Sequence, residues 1–322
     1  MSLDLKYCNY QTAVLLIIFN RVDTTQKVFA AIRERKPARL YISADAPRAG
    51  NRVDQEKCSL TREITENIDW PCMVKRLYHV ENLGCSFGPR AAFKWFFSQE
   101  TEGIILEDDC VPHPDFFSFA TQMLERYRDN HHIISINGSN LGYKLNNGYS
   151  YTFSRFMNMW GWATWSDRAN IIDYNLNEWK QVKKPIWFLY NHLRQHVFDA
   201  DINWYKYWKY NFNLTVTQSV ITWWDWQWIF HQTLNRQLSV VPGVNLVSNI
   251  GFNAEATHTH EAENPAANIV THPIPLPFKH PMHVKPDFIY EEEHVKWIWC
   301  YHKRLTTVFY FKQFISRLIR RS

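Results

Sequence analysis

The sequence has 322 residues, of which 46% are hydrophobic, and this length suits one full-sized α/β core. Its longest apolar run, Ala13 to Phe19, is far shorter than the ~20 residues of a membrane-spanning helix and lacks a basic leader, which predicts a cytoplasmic protein. A net charge of +5 and six cysteines without a Cys-x-x-Cys pair argue against a nucleic-acid binder and against a zinc site.

The first third of the chain alternates strand-like and helix-like segments, which is typical of a parallel sheet flanked by helices. Apolar runs predict strands at Ala13–Phe19, Arg39–Ala44, Met73–Val80, Gly103–Leu106 and Ile133–Ile136. Residues at helical spacing predict helices at about Thr24–Lys36, Val53–Ile68, Pro89–Phe97 and Asp115–Tyr127. Asp23 and Gln26 resemble a capping box for the first helix, and Pro89 is suited to the first turn of the third.

The second half of the chain carries much of the aromatic content. Fifteen tryptophans are present, many of them between Trp160 and Trp228. Such rings suit the faces of sugars, although packing in the core explains most of them. The stretch from Glu255 to Pro286 is rich in Pro, Asn and His, and it is predicted to be irregular.

The C-terminal segment has the pattern of an amphipathic helix. Between Val308 and Ile319 the apolar residues largely share one face, and basic residues lie toward its edges: Lys312, Arg317, Arg320 and Arg321. This pattern predicts contact with an anionic membrane surface, which would make the protein peripheral on the inner face of the cytoplasmic membrane. The alternative is a helix that docks on the protein core.

Three consecutive acids, Glu107, Asp108 and Asp109, follow the fourth predicted strand. Adjacent carboxylates after a buried strand are unfavourable unless a cation or a hydrogen-bond network compensates their charge. Mg²⁺ and Mn²⁺ bind through one or two carboxylates together with substrate phosphates, so these acids suit such a site. The alternative is that they cap the helix that follows Pro112.

The segment from Ile105 to Phe117, Ile-Leu-Glu-Asp-Asp-Cys-Val-Pro-His-Pro-Asp-Phe-Phe, resembles the metal-binding segment of GT-A fold glycosyltransferases. The likeness is to the group that contains the N-acetylglucosaminyltransferase of complex N-glycan branching and bacterial nucleotide-diphospho-sugar transferases. Further pieces stand in matching order between Val14 and His258: Asn20-Arg21, Asp45, Trp160-Gly-Trp, Asp225-Trp226, Ser248–Gly251 and Thr257-His258. The resemblance implies a GT-A, Rossmann-like α/β fold with a mostly parallel central sheet flanked by helices.

The resemblance also implies a role for each matching residue at the donor. Asp109 would coordinate Mn²⁺ (or Mg²⁺) bridging the donor diphosphate, while Glu107 and Asp108 would touch the sugar and ribose. Asp45 would contact the uracil edge, and Arg21 would contact the nucleotide. The loop Phe19-Asn20-Arg21 departs from the family pattern because no acid stands beside the arginine.

The resemblance implies roles for two further residues, one on the acceptor side and one at the donor phosphates. Asp225 lies among tryptophans and would be the catalytic base; the alternative is that Thr222 and Asp225 cap the following helix. His258 would fold over the donor phosphates, and the alternative for His258-Thr-His260 is a solvated loop.

Taken together, the sequence predicts an inverting, metal-dependent glycosyltransferase that uses a nucleotide sugar, expected to be UDP-linked, and a glycan or lipid-linked saccharide acceptor. Residues 1–140 would form the nucleotide-sugar-binding half, 141–260 the acceptor-binding and catalytic half, and 261–322 an irregular segment with the basic tail. Two alternatives are a non-catalytic carbohydrate-binding homologue and a sugar nucleotidyltransferase. The second is disfavoured because no glycine-rich phosphate loop follows the first strand.

Overall fold

The computed structural model describes residues 11–193, 204–217, 223–252 and 266–294, and within them the chain has an α/β architecture. The strands are β1 Ala13–Ile18, β2 Arg39–Ala44, β3 Met73–Tyr78, β4 Glu102–Glu107, β5 Cys110–Pro112, β6 Ile133–Asn137, β7 Tyr151–Ser154, β8 Trp162–Trp165, β9 Leu238–Pro242 and β10 Val247–Asn249. The helices are α1 Val22–Arg35, α2 Arg52–Ile64, α3 Gly84–Phe97, α4 Pro114–Tyr127, α5 Ser166–Ala169, α6 Asn177–Gln181, α7 Pro185–Leu193, α8 Trp204–Thr217, α9 Asp225–Leu234 and α10 Phe288–His294.

Eight strands form one mixed sheet in the order β3-β2-β1-β4-β8-β6-β9-β7. The first four pair in parallel, β8 runs antiparallel to both of its neighbours, and β6 and β9 are again parallel. The short strands β5 and β10 form a separate antiparallel pair. The predicted α/β class, with a large and mostly parallel sheet flanked by helices, is therefore confirmed.

Alternating residues of the central strands pack on opposite faces of the sheet. Val14, Leu16 and Ile18 of β1 lie in a buried cluster with apolar residues of α1 and α4. Ala13 and Leu15 belong to a second cluster, which contains α3 and several tryptophan rings. This two-sided burial explains why β1 is a continuous apolar run, since each face must exclude water.

Several predicted boundaries shift in the structure. Helix α1 begins at Val22, so Asp23 lies in its first turn and the predicted capping box is wrong. Helix α2 ends at Ile64, four residues before the predicted end at Ile68. Helix α3 begins at Gly84, which places Pro89 inside the helix.

Most of the described tryptophans belong to the interior. Helices α6 to α9 share a third apolar cluster that contains Trp179, Trp208, Phe212 and Phe230. Trp162 and Trp228 are fully buried beside α3. These rings are packing residues, in agreement with the simpler interpretation of the aromatic content.

Residues 266–287 contain no helix or strand, as the composition of that stretch predicts. His258 and the predicted C-terminal amphipathic helix lie outside the described residues. In the part of the chain that the structure describes, we find no helix with the length and hydropathy that a membrane span needs.

Candidate functional site

The candidate site lies where the strand order changes direction. From β1 the chain builds β2 and β3 on one side and then returns to place β4 on the other. In open α/β sheets, the crevice between strands at such a switch point, outside their carboxyl ends, is where ligands bind. Arg21 follows β1 and Asp108 follows β4, so each side of this crevice contributes one of these two side chains.

The register of β1 and β4 brings the acidic residues next to the loop that carries Arg21. Ile17 is paired with Glu107, the last residue of β4. The backbone N–H of Phe19 donates to Asp108 Oδ2 at 3.1 Å, and Arg21 Nη1 donates to Asp108 Oδ1 at 3.2 Å. Arg21 Nη1 also donates to Asp109 Oδ2. One guanidinium therefore joins both aspartates.

The cluster contains more carboxylates than cations. Burial, followed by the charges of Asp109 and Asp108, raises the pKa of Glu107 well above its ordinary value. Burial also raises the pKa of Asp108, to about 6, although Arg21 opposes this shift. Burial alone would lower the pKa of Arg21, but the three carboxylates outweigh it and raise that pKa. The cluster thus favours any additional positive charge.

A second segment closes over Asp109 from the β5–β10 pair. The backbone N–H of Ile250 donates to the carbonyl oxygen of Asp109 at 2.9 Å. A Cβ atom built on Gly251 would lie only 2.1 Å from Asp109 Oδ2. Gly251 has no predicted role of its own from the sequence, and its only signal there is that it ends Ser248–Gly251, one of the pieces that resemble the family.

Asp45, at the end of β2, is engaged with the start of α3. Its carboxylate accepts hydrogen bonds from the backbone N–H groups of Ala46, Leu83 and Gly84 at 2.9, 2.9 and 2.8 Å. It also accepts one from Asn82 Nδ2 at 3.1 Å. The structure therefore gives Asp45 a capping role for α3, while its predicted contact with a uracil ring remains a prediction.

Asp225 is the first residue of α9, directly after the N-cap residue Trp224, and Thr222, the other residue of the capping alternative, lies outside the described residues. Its Oδ1 accepts a hydrogen bond from the N–H of Trp226 at 2.9 Å. Ser86 Oγ donates to the carbonyl oxygen of Trp223 at 2.9 Å, which ties the segment before α9 to the start of α3.

Electrostatic interactions connect Asp225 with the acids of the other segments. The charge of Asp225 adds to the effects of burial and of the adjacent aspartates that raise the pKa of Glu107. Burial raises the pKa of Cys85, and the charges of Glu107, Asp225 and Asp45 add to that shift. Cys85, in the first turn of α3, therefore lies within range of acids from three separate segments, and it was not singled out from the sequence.

Oxygen ligands from this cluster fit a hard divalent cation. Within residues 11–193, 204–217, 223–252 and 266–294, no three His, Cys, Asp or Glu side chains form a ready-made metal cage. Mg²⁺ and Mn²⁺ commonly need only one or two carboxylates when phosphate oxygens complete the coordination. The excess carboxylate charge around Asp109 therefore suits a cation that is shared with a substrate.

No protein-family model matches the chain, and no curated protein matches it. Among solved structures, HddC from Yersinia pseudotuberculosis aligns with a TM-score of 0.29 and 9% sequence identity, over 48% of this chain and 77% of that one. A likeness of this size carries no argument about function, so the functional inference depends on the site itself.

Proposed function

We propose that the protein is a metal-dependent glycosyltransferase of the GT-A type. It would move a sugar from a nucleotide-sugar donor, expected to be UDP-linked, to a hydroxyl of a glycan or a lipid-linked saccharide. The observation that carries the proposal is the Arg21–Asp108–Asp109 cluster at the switch point, with its excess of carboxylate charge. The resemblance of the segment Ile105 to Phe117 to the metal-binding segment of that family supports the same function.

At the donor end, Asp109 would hold Mn²⁺ (or Mg²⁺). When bound, the ion neutralises the diphosphate leaving group as a Lewis acid. Arg21 contributes a second positive charge, and its forked donors suit phosphate oxygens as well as they suit carboxylates. Glu107, whose pKa is raised by burial, can hydrogen-bond a sugar hydroxyl in either protonation state.

At the acceptor end, Asp225 would act as the general base. An acceptor hydroxyl attacks the anomeric carbon on the face opposite the departing phosphate, so a new C–O bond forms as the old one breaks. The hydroxyl proton passes to the Asp225 carboxylate, and the anomeric configuration inverts. The adjacent ring of Trp224 is buried against Phe93 and Trp162, an apolar wall that helps to exclude competing water.

Two substitutions test this assignment. Asp109→Ala should abolish the thermal stabilisation that UDP gives in the presence of Mn²⁺. Asp225→Asn should keep that stabilisation but lower sugar transfer by about 10²- to 10⁴-fold, which is the typical contribution of a general base. Asp69→Asn, in an exposed ion pair with Arg33, is the matched control and should change neither quantity.

Full turnover in either site variant contradicts the assignment. Mn²⁺-dependent binding of UDP-sugars without any transfer or donor hydrolysis would instead indicate the carbohydrate-binding alternative. Release of pyrophosphate from a nucleoside triphosphate and a sugar phosphate would indicate the nucleotidyltransferase alternative.

A further inference from the structure

Gly138 and Gly161 allow β10 to pack closely against the end of β4, the strand that leads into the acidic cluster. A Cβ atom on Gly138 would lie 2.4 Å from Val247 Cγ2, and one on Gly161 would lie 2.8 Å from Val247 Cγ1 and 3.2 Å from Leu106 Cδ2. The N–H of Gly138 donates to the carbonyl oxygen of Gly161 at 2.7 Å. Because both glycines lack side chains, Val247 of β10 can approach the end of β4 closely.

The segment after β10 then crosses the carboxylate of Asp109. Asn249 is paired with Cys110, and the N–H of Gly251 donates to Asn249 Oδ1 at 2.8 Å, which fixes the turn. A Cβ atom on Gly251 would meet Oδ2, Cγ and Cβ of Asp109 at 2.1, 2.8 and 2.9 Å. The φ angle of Gly251 is outside the left-handed region, so the need for glycine is steric and not conformational.

We infer that Gly251 is a positioning residue for Asp109. Its missing side chain lets the segment after β10 close on the carboxylate and hold it in the orientation that meets Arg21. The inference rests on the proposed function in one respect: the carboxylate that Gly251 positions is the one assigned to the metal. Any larger residue at 251 must displace Asp109, the turn, or both.

A double-mutant cycle on stability tests the contact without reference to function. Gly251→Ala should lower the urea midpoint in the wild-type background. It should cost less in an Asp109→Ala background, because that substitution removes two of the three atoms that the new Cβ would strike and leaves only the Cβ of residue 109, at 2.9 Å. Gly161→Ala is the matched control: its Cβ meets Val247 and Leu106, so its effect should be equal in both backgrounds. An equal effect of Gly251→Ala in both backgrounds overturns the inference.

The second measurement is Mn²⁺ binding by electron paramagnetic resonance, with and without UDP. Folded Gly251→Ala should bind Mn²⁺–UDP at least tenfold more weakly than the wild type, which corresponds to about 1.4 kcal/mol. If Gly251→Ala does not fold, Asn249→Ala serves instead, since it loosens the turn without adding atoms, and it should weaken Mn²⁺–UDP binding in the same direction.

The two measurements separate failure of the inference from failure of the proposed function. Unchanged Mn²⁺–UDP affinity in these variants overturns the positioning role and leaves the transferase proposal standing. A wild-type protein that binds no Mn²⁺–UDP overturns the transferase proposal, whereas a coupled stability cycle in that protein still supports the contact between Gly251 and Asp109.

Discussion

Replacing Arg21 with methionine should destabilise the metal-free protein strongly at alkaline pH. The side chains of Arg21, Asp108 and Asp109 are 21%, 9% and 13% exposed. Breaking a buried ion pair by removing one partner typically costs ~3–5 kcal/mol, and the partial exposure of Arg21 places this case near the lower end. We expect the free energy of unfolding to fall by ~3 kcal/mol at pH 8, because three adjacent acids lose their counter-ion.

The loss should shrink as the solution becomes more acidic. The pKa of Asp108 is about 6, above its ordinary value because of burial, and Arg21 lowers it, so the variant should have a still higher value. A carboxyl group with a raised pKa binds more protons when folded, so its contribution to stability is present at low pH and is lost as the pH rises through the folded pKa. The variant should therefore recover much of its deficit near pH 5.

Urea unfolding followed by tryptophan fluorescence, in the presence of a chelator, measures this difference at both pH values. Arg33→Met is the matched control, because Arg33 and Asp69 form an ion pair whose side chains are 52% and 54% exposed, and it should have little effect at either pH. A loss at pH 8 no larger than that of the control, or a loss that does not change with pH, would refute the reasoning.

Three further substitutions can be followed by the same unfolding assay. Glu291→Ala should cost ~3 kcal/mol or more, because it removes the carboxylate from the buried guanidinium of Arg155; a loss below ~1 kcal/mol would contradict this. Gly103→Ala should cost ~1–3 kcal/mol, since its Cβ would lie 2.3 Å from Phe96 Cζ, and the same loss in a Phe96→Leu background would argue against that clash. Burial lowers the pKa of His294 to about 4, so the unfolded chain binds this proton at a higher pH than the folded protein does. The free energy of unfolding of the wild type should therefore fall as the pH is lowered from 6.5 toward 4. His294→Phe should make this fall less steep, and an unchanged slope would contradict the prediction.

The sequence predicts best the strands that consist of one continuous apolar run and are almost completely buried. Strand β2 has the predicted bounds, and the bounds of β1 and β4 differ from the predicted ones by one or two residues in total. These bounds are predictable because a short unbroken apolar run between polar residues favours a buried strand. The start of α3 could not be predicted in this way. Its first N–H groups are satisfied by the carboxylate of Asp45, which lies 39 residues before Gly84, so no local pattern marks the boundary.

The later strands were missed for a related reason. Strands β7 and β8 have four residues each, and β5 and β10 have three. Runs this short carry no measurable periodicity, and their strand conformation depends on partners from distant parts of the chain. Strand β8 also lies antiparallel between β4 and β6. This position depends on tertiary contacts, which the local sequence pattern does not show.

The candidate site was predictable to the extent that it follows from strand ends. Arg21 and Asp108 come from the ends of β1 and β4, and the switch-point rule brings those ends together once the strands are known. Gly251 and Cys85 could not be found by this rule, since Gly251 follows β10, which the sequence does not reveal, and Cys85 lies in α3, beyond the loop that follows β3. Their placement depends on the β5–β10 pair and on α3, whose ends are set by long-range contacts.

Stability alone does not explain the arrangement around Asp109. Apolar residues of similar volume are often as stabilising as a buried ion pair, or more so, yet this crevice holds three adjacent carboxylates and one guanidinium. It also depends on a glycine at 251 whose backbone conformation does not require one. Sites where a chain departs from several folding preferences at once are expected to be functional. The departures here converge on a single carboxylate, and an additional cation shared with an anionic substrate would neutralise the charge that the protein leaves uncompensated.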